Sequence, residues 1–370
     1  MSIFDFILIA FSITIGLQFI YYGVVFSKFA FAKIEYPPVK NIPISVIICA
    51  KNEAHNLPIL IPKLLTQDYS TFEIILINDH SIDNTLEIME SFKNVSKLIK
   101  IVNVKSNETF WGSKKYALTL GIKASTYNYL LFTDADCIPA TDQWIMSMAS
   151  HFSNKKSIVI GYGAYKKQKN SILNKLIRYE TLLTAIQYFG FSKIGMPYMG
   201  VGRNLAYRKE TFFNVNGFVD HLNIKSGDDD LFINQVATSS NVSNCFKKES
   251  FTISVSKSTW GEWYCQKRRH ISTANHYKIK HQIILGLFYI SQLFFWLLAC
   301  FLLLFSFNYE IVISLILLRC ILTYLILGYS ARKLDELDVV LLLPFLEIFL
   351  IISQFSIFIT NCLSKPVHWK

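Results

Sequence analysis

The sequence predicts an α/β fold with a mostly parallel sheet, flanked by N-terminal and C-terminal transmembrane helices. Three observations predict it. Short β-rich runs alternate with helical stretches between residues 43 and 245, and such alternation builds a parallel sheet covered on both faces. Long apolar segments lie outside that region, at 3–26 and after residue 277, and they can cross a hydrocarbon core of roughly 30 Å. Hydrophobic residues make up 52% of the 370 and charged residues only 17%, which is too apolar for an ordinary soluble chain of this length.

Taken in order, Ile3–Phe26 is apolar except for Asp5, Gln18 and a few hydroxyls. No basic region precedes it, and Lys28, Lys33 and Lys40 follow it. It therefore reads as a retained anchor with its C-terminal side in the cytoplasm, not as a cleaved signal peptide. Tyr36-Pro37-Pro38 is a stiff linker. Strands are expected at Ile44–Cys49, Phe72–Ile77, Leu98–Val104 and Tyr129–Thr133. Helices are expected near Asn56–Gln67, Thr85–Lys93 and Lys114–Ala124. In such a sheet, ligands sit at the carboxyl ends of the strands. Trp260–His270 mixes tryptophans with basic residues and suits a membrane surface; within it Gln266 and Arg269 share a helix face. Ile283–Phe307 and Ile311–Leu327 each span, joined by the polar turn Asn308-Tyr309-Glu310. Ala331–Asp338, with Arg332 and Lys333, returns the chain to the cytoplasmic side. Val339–Ile359 is interrupted by Pro344, Glu347 and Gln354; it spans, lies in the interface or re-enters. The basic tail (Lys365, His368, Lys370) favours a cytoplasmic end, and counting spans favours the other side. The expected organisation is an anchor at 1–28, an α/β domain at 40–259, an interface helix at 260–280, and a membrane region of two to three helices at 281–362.

Lys and Arg total 37 against 26 acids, a net +11. The basic residues form no aromatic-interleaved stripe on a soluble domain, which disfavours nucleic acid. Anionic head groups and phosphorylated substrates are the better partners. Seven scattered cysteines, with no C-x-x-C pair, argue against a disulfide framework and against zinc.

The strongest chemical signal is Asp134-Ala135-Asp136 at the end of the fourth strand. Residues two apart on a strand face the same way, so both carboxylates can converge on one point. Such hard oxygen ligands suit Mg²⁺ or Mn²⁺, ions that also hold substrate phosphates; Asp is also common in turns. Ala50-Lys51-Asn52-Glu53 ends the first strand and offers a polar loop that can grip a nucleoside, or simply an acid at a helix N-terminus. Asp79 ends the second strand and can accept from a base N–H, while Asp83 or Asn84 caps the next helix. Gly112-Ser113-Lys114-Lys115 opens a helix and reads either as a phosphate site or as a solvated lysine pair. Asp228-Asp229-Asp230 precedes another helix. Adjacent carboxylates raise one another's pKa, which suits a general base; the alternative is that one or two are solvated caps.

Six segments in this order resemble the membrane-anchored branch of glycosyltransferase family 2, with its GT-A fold. They are A-K-N-E at 50–53, I-N-D-H-S-I-D-N-T at 77–85, G-S-K-K-Y-A-L at 112–118, D-A-D at 134–136, D-D-D-L at 228–231 and Q-K-R-R-H at 266–270. The resemblance implies an inverting transferase that uses a nucleotide-diphosphate sugar with Mg²⁺ or Mn²⁺. It implies that Ala50, Asn52, Glu53 and Asp79 hold the nucleoside, with Lys114 near the donor. Asp134 would meet the ribose or diphosphate and join Asp136 at the metal. Asp228 would be the catalytic base, with Asp229 as its rival, and Gln266 and Arg269 would hold the diphosphate and close the acceptor end. Gly200–Leu205 looks like the acceptor-side segment. Three departures stand out: His270 replaces the Trp of Q-x-x-R-W, Gly227 stands where an acid often precedes the base, and Asn78 replaces the first of two acids. The expected activity is transfer to a lipid or lipid-linked glycan acceptor, in a bacterial inner membrane with the catalytic domain cytoplasmic. A processive polysaccharide synthase and an inactive transferase-like scaffold or transport component are the alternatives.

Overall fold

The computed structural model describes residues 1–105, 114–224 and 226–364. The chain divides into two compact units. One comprises Ile34–Lys167 and Pro197–Lys257, and the other Met1–Lys33, Gln168–Met196 and Ser258–His368.

The first of these is a sheet unit. Its strands are β1 (Ile44–Ala50), β2 (Phe72–Asp79), β3 (Ile99–Val104), β4 (Tyr129–Phe132), β5 (Cys137–Pro139), β6 (Ile158–Ile160), β7 (Gly163–Tyr165), β8 (Leu205–Arg208), β9 (Val242–Asn244) and β10 (Thr252–Ser254). Seven of them form one sheet in the order β3-β2-β1-β4-β8-β6-β9. β1 pairs in parallel with β2 and β4, and β2 with β3. β8 runs antiparallel to both β4 and β6. A second sheet orders β5-β10-β7. The four expected strands are present, and the mostly parallel sheet is as the alternation predicts.

The reason is burial. All eight residues of β2 are buried, and a strand covered on both faces has no polar side to spare. The helix Leu57–Leu65 buries Leu57, Leu60, Ile61 and Leu64, a spacing that lays one stripe against the sheet. Each such side chain contributes about 1.5–3 kcal/mol on full burial. Glu73, buried near the start of β2, accepts from Ser45 Oγ (2.6 Å) and from Thr126 N (2.5 Å) and Oγ1 (2.9 Å) and meets Lys100 Nζ at 2.8 Å. That acid is structural. It lies at the opposite end of β2 from Asp79 and the site.

The other unit is helical. Four of its helices are long and apolar enough to cross a membrane: Ile3–Ala30, Ile279–Leu304, Tyr309–Leu334 and Leu343–Leu363. Asp5 does not spoil the first. It forms a capping box with Ser2, satisfying N–H groups that a helix start leaves open. The fourth is one continuous helix, because its apparent interruptions are accommodated. Pro344 sits in the first turn, where its missing N–H costs nothing. Glu347 is paired with Arg319. That pair is the centre of a buried polar cluster. Arg319 Nη1 donates to Glu347 Oε2 at 2.8 Å, Arg319 Nε to Gln18 Oε1 at 2.6 Å, and Gln292 Nε2 to Glu347 Oε1 at 3.1 Å. All four apolar helices contribute to it.

The continuous domain expected at 40–259 is interrupted. The helix Ile172–Lys193 belongs to the helical unit. It buries residues around most of its circumference, including Arg178, which bonds Glu336 (2.8 Å) and Asp338 (2.8 Å). The charged stretch 331–338 is thus partly spent inside this unit. The helix Trp260–Ala274 carries Gln266 and Arg269 and is tied within the same unit by Glu180, which accepts from Trp263 Nε1 at 3.3 Å and meets Lys267 Nζ at 2.9 Å. The tail at 365–370 lies outside the described residues.

Candidate active site

The site forms where β1, β2 and β4 end. Asn52 adopts a left-handed backbone (φ 57°), and its loop is locked to the end of β2. Asn52 N donates to Ser81 Oγ (3.0 Å), Ile82 N to Asn52 Oδ1 (2.9 Å) and Glu53 N to Thr85 Oγ1 (2.8 Å). Ala50 is buried as the last residue of β1. Asp79 is buried at the end of β2 and pairs with His80 Nδ1 at 2.9 Å. Burial pushes the Glu53 carboxyl up, an effect eased by the amide of Asn56 at 2.6 Å. Of the two candidate caps, Asp83 is the one used. Its Oδ1 accepts from Thr85 N at 3.1 Å, and Asn84 makes no side-chain cap.

Asp134 and Asp136 converge, although not as strand neighbours. β4 ends at Phe132, and the acids stand in the turn before β5, which is closed by Cys137 N donating to Asp134 O at 3.1 Å. Ligand atoms of Asp134, Asp136 and Cys137 lie within 4.8 Å of one another. Two hard carboxylates this close fit a small divalent ion. Cys137 Sγ donates to Asp136 Oδ1 at 3.3 Å, which orients that acid.

The lysine pair is not solvated. Lys114 Nζ sits 2.8 Å from Asp134 Oδ1 and 3.1 Å from Asp228 Oδ2. It joins two acids 94 positions apart in the sequence. Burial works against its charge, yet Asp134 and Asp228 hold the ammonium well above the ordinary lysine range. Burial also opposes ionisation of Asp134, and Lys114 outweighs it, so the carboxyl is held below its usual value. Asp136 goes the other way, pushed up by partial desolvation and then by Asp134. Gly112 and Ser113 lie outside the described residues.

The three consecutive acids divide their work. Asp229 caps the helix Asp230–Val236, accepting from Asp230 N (2.8 Å) and from Gly202 N (2.6 Å). Burial, then Asp228 and Asp230, push it up to about 7. Asp230 Oδ1 accepts from Leu231 N at 2.7 Å. Only Asp228 meets Lys114, and with Lys114, Asp134 and Asp229 it lines one cleft walled by Ile47, Cys49, Phe132, Leu205 and Tyr207. Gly227 has φ +89°, and an added Cβ would stand 2.4 Å from Leu231 Cδ1. No acid fits there, which accounts for the departure noted in the sequence. Gly227→Ala should cost about 1–3 kcal/mol, read as a lower midpoint in thermal unfolding.

Arg203 had no individual role in the sequence reading. It lies 4.3 Å over the ring of Tyr165 and donates to Ser254 Oγ (2.8 Å) and Gly163 O (2.9 Å); its charge favours the ionised forms of Asp134 and Asp136, although at Asp136 desolvation and Asp134 outweigh it. Its only signal was its place inside Gly200–Leu205. Gln266 and Arg269 belong to the helical unit.

Residues 45–215 match the family model described as Glycosyl transferase family 2. The chain is 31% identical over 164 residues to a poly-beta-1,6-N-acetyl-D-glucosamine synthase of Staphylococcus epidermidis, a match covering 44% of this chain and 38% of that protein. It is 34% identical over 128 residues to an uncharacterized glycosyltransferase of Haemophilus influenzae, covering 34% of this chain and 38% of that protein. These matches thus span less than two thirds of their relatives' length. Among solved structures, a mannosyltransferase from Pyrobaculum calidifontis in complex with GDP-Man and Mn²⁺ aligns at TM-score 0.60 and 15% identity, over 90% of this chain and 99% of that one. That likeness is one of fold. Matched segment and sheet order agree: residues 45–215 carry a family 2 glycosyltransferase domain, on a sheet of GT-A fold.

Proposed function

We propose that this is a membrane-embedded, inverting glycosyltransferase that moves a sugar from a nucleotide-diphosphate donor to a lipid or lipid-linked glycan. The observation that carries the reading is Lys114 joining Asp134 to Asp228 in one cleft. Ala50, Asn52, Glu53 and Asp79 receive the nucleoside at the carboxyl ends of β1 and β2. Asp134 and Asp136 would hold Mg²⁺ or Mn²⁺, which supplies Lewis-acid neutralisation of the leaving diphosphate. Lys114 and Arg203 add fixed positive charge around those acids. Asp228 removes the proton of an acceptor hydroxyl. That oxygen bonds to the anomeric carbon as the bond to the diphosphate oxygen breaks. The nucleoside diphosphate departs and the configuration inverts. Asp229 is the weaker base candidate, because both its oxygens already accept main-chain N–H groups. Gln266 and Arg269 are assigned to the departing diphosphate and the acceptor end. Four apolar helices and the lysines after the first one support a bacterial inner-membrane setting with the sheet unit cytoplasmic.

Processive synthesis is the second reading, favoured by relatives named as polysaccharide synthases. Labelled UDP- and GDP-sugars incubated with the protein and membrane extract test both: one added sugar supports the first reading and a polymer the second. No incorporation from any donor would refute both. Chelation should stop transfer and added Mn²⁺ or Mg²⁺ should restore it. Asp136→Asn should lower turnover about 10²–10³-fold, several kcal/mol of charge stabilisation, measured as initial rate against metal concentration.

A further inference from the structure

Lys115 is 1% exposed, yet it meets no carboxylate by hydrogen bond in the described structure. Its Nζ donates to two main-chain carbonyls, His221 O at 2.7 Å and Ile224 O at 2.8 Å. A buried ammonium is expensive, and burial pulls this one down to about 8 against the opposing charges of Asp228, Asp230 and Asp229. Two carbonyls alone do not call for a charge there. What they gain from a long, three-donor side chain is a fixed position.

The turn so fixed leads straight to the proposed base. Among the described residues, the short 3₁₀ turn Val219–His221 is the one regular element between 219 and 227, and Gly227, just before Asp228, is left-handed. Its other ties run to the helix that follows: His221 Nε2 lies 3.1 Å from Gln235 Oε1, and Gln235 Nε2 donates to Asp220 Oδ2 at 2.6 Å. Lys114 and Lys115 are consecutive on the first turn of the helix Lys114–Ala124 and point about 100° apart. One grips the Asp228 carboxylate, the other the backbone leading to it.

We propose that Lys115 is a positioning residue: by clamping the turn 221–224 it sets Asp228 at its working distance from the donor end of the cleft. This rests on the reading of Asp228 as base. Methionine at 115 keeps the length and removes every donor.

The test uses the full chain in detergent, with labelled UDP-N-acetylglucosamine and GDP-mannose as donors, membrane extract as acceptor, and UDP titrated with Mn²⁺ for nucleotide affinity. Lys115→Met should lower kcat about 10–100-fold, the scale of a 1 Å misplacement, with donor KM and UDP affinity within about twofold. Lys115→Gln, which can still donate to carbonyls, should recover most of the rate. If the methionine variant does not fold, an intermediate kcat at unchanged KM in Lys115→Gln supports the role. Wild-type kcat in both variants overturns it. So does a kcat loss matched by an equal loss of UDP affinity and melting temperature, which marks a merely structural residue. A wild-type chain silent with both donors overturns the reading of Asp228, and the role of Lys115 with it.

Discussion

Asp228→Asn is expected to lower transfer about 10²–10⁴-fold, the usual contribution of a general base, while UDP affinity stays within about threefold. The expectation follows from the contacts. Asparagine still accepts from Lys114 Nζ, now 3.1 Å from Asp228 Oδ2, so that contact survives while the cleft loses a proton acceptor and one of the two charges facing Lys114. Asp229→Asn is the control. Its oxygens accept from Gly202 N and Asp230 N, bonds an amide oxygen reproduces in part, and Asn caps a helix as well as Asp does. Its turnover should fall far less. Pre-steady-state quench of the labelled donor separates the two. Equal losses in the two variants, or full turnover in Asp228→Asn, would move the base elsewhere.

The largest stability effect should come from Glu347→Leu. Arg319 and Glu347 are each 1% exposed and lie among apolar helices, where an ion pair stands only if its partners complete its hydrogen bonds. Gln18 and Gln292 complete them here. Leucine at 347 strands the guanidinium, and breaking a buried pair in this way costs about 3–5 kcal/mol. The double change Arg319→Met with Glu347→Leu removes both charges and should return most of the loss. Thermal midpoints of the three proteins in one detergent decide it. A double variant no more stable than the single one would mean that the cluster holds the helices through shape and not through charge compensation.

Much of this was readable from the sequence because periodicity and motif order are local. The four expected parallel strands and the apolar helices followed from hydrophobic runs, and six short segments in order carried the family. What escaped depends on pairing across the chain. The lysines at 114 and 115 look alike in sequence, and their residues alone leave a phosphate site and a solvated pair both open. Only the fold brings Asp134, Asp228 and the 221–224 carbonyls to them. The metal acids were read as strand neighbours, whereas a turn brings them together. At 228–230 the resemblance put Asp228 ahead of Asp229, but the main-chain N–H groups that claim Asp229 and Asp230 were not visible in the sequence. Ile172–Lys193 hid because a helix buried on nearly every side, with charges that find partners 158 and 160 residues away, shows neither a clean amphipathic stripe nor an apolar run.

That same helix bears on how the enzyme can be handled. Because Gln168–Met196 is an excursion out of the sheet unit, cutting away both ends of the polypeptide does not liberate a water-soluble catalytic half. The trimmed piece would still carry a helix whose buried faces have lost their packing partners, with Arg178 stripped of Glu336 and Asp338. A version freed of the membrane helices calls for surgery in the middle as well, replacing Gln168–Met196 with a linker.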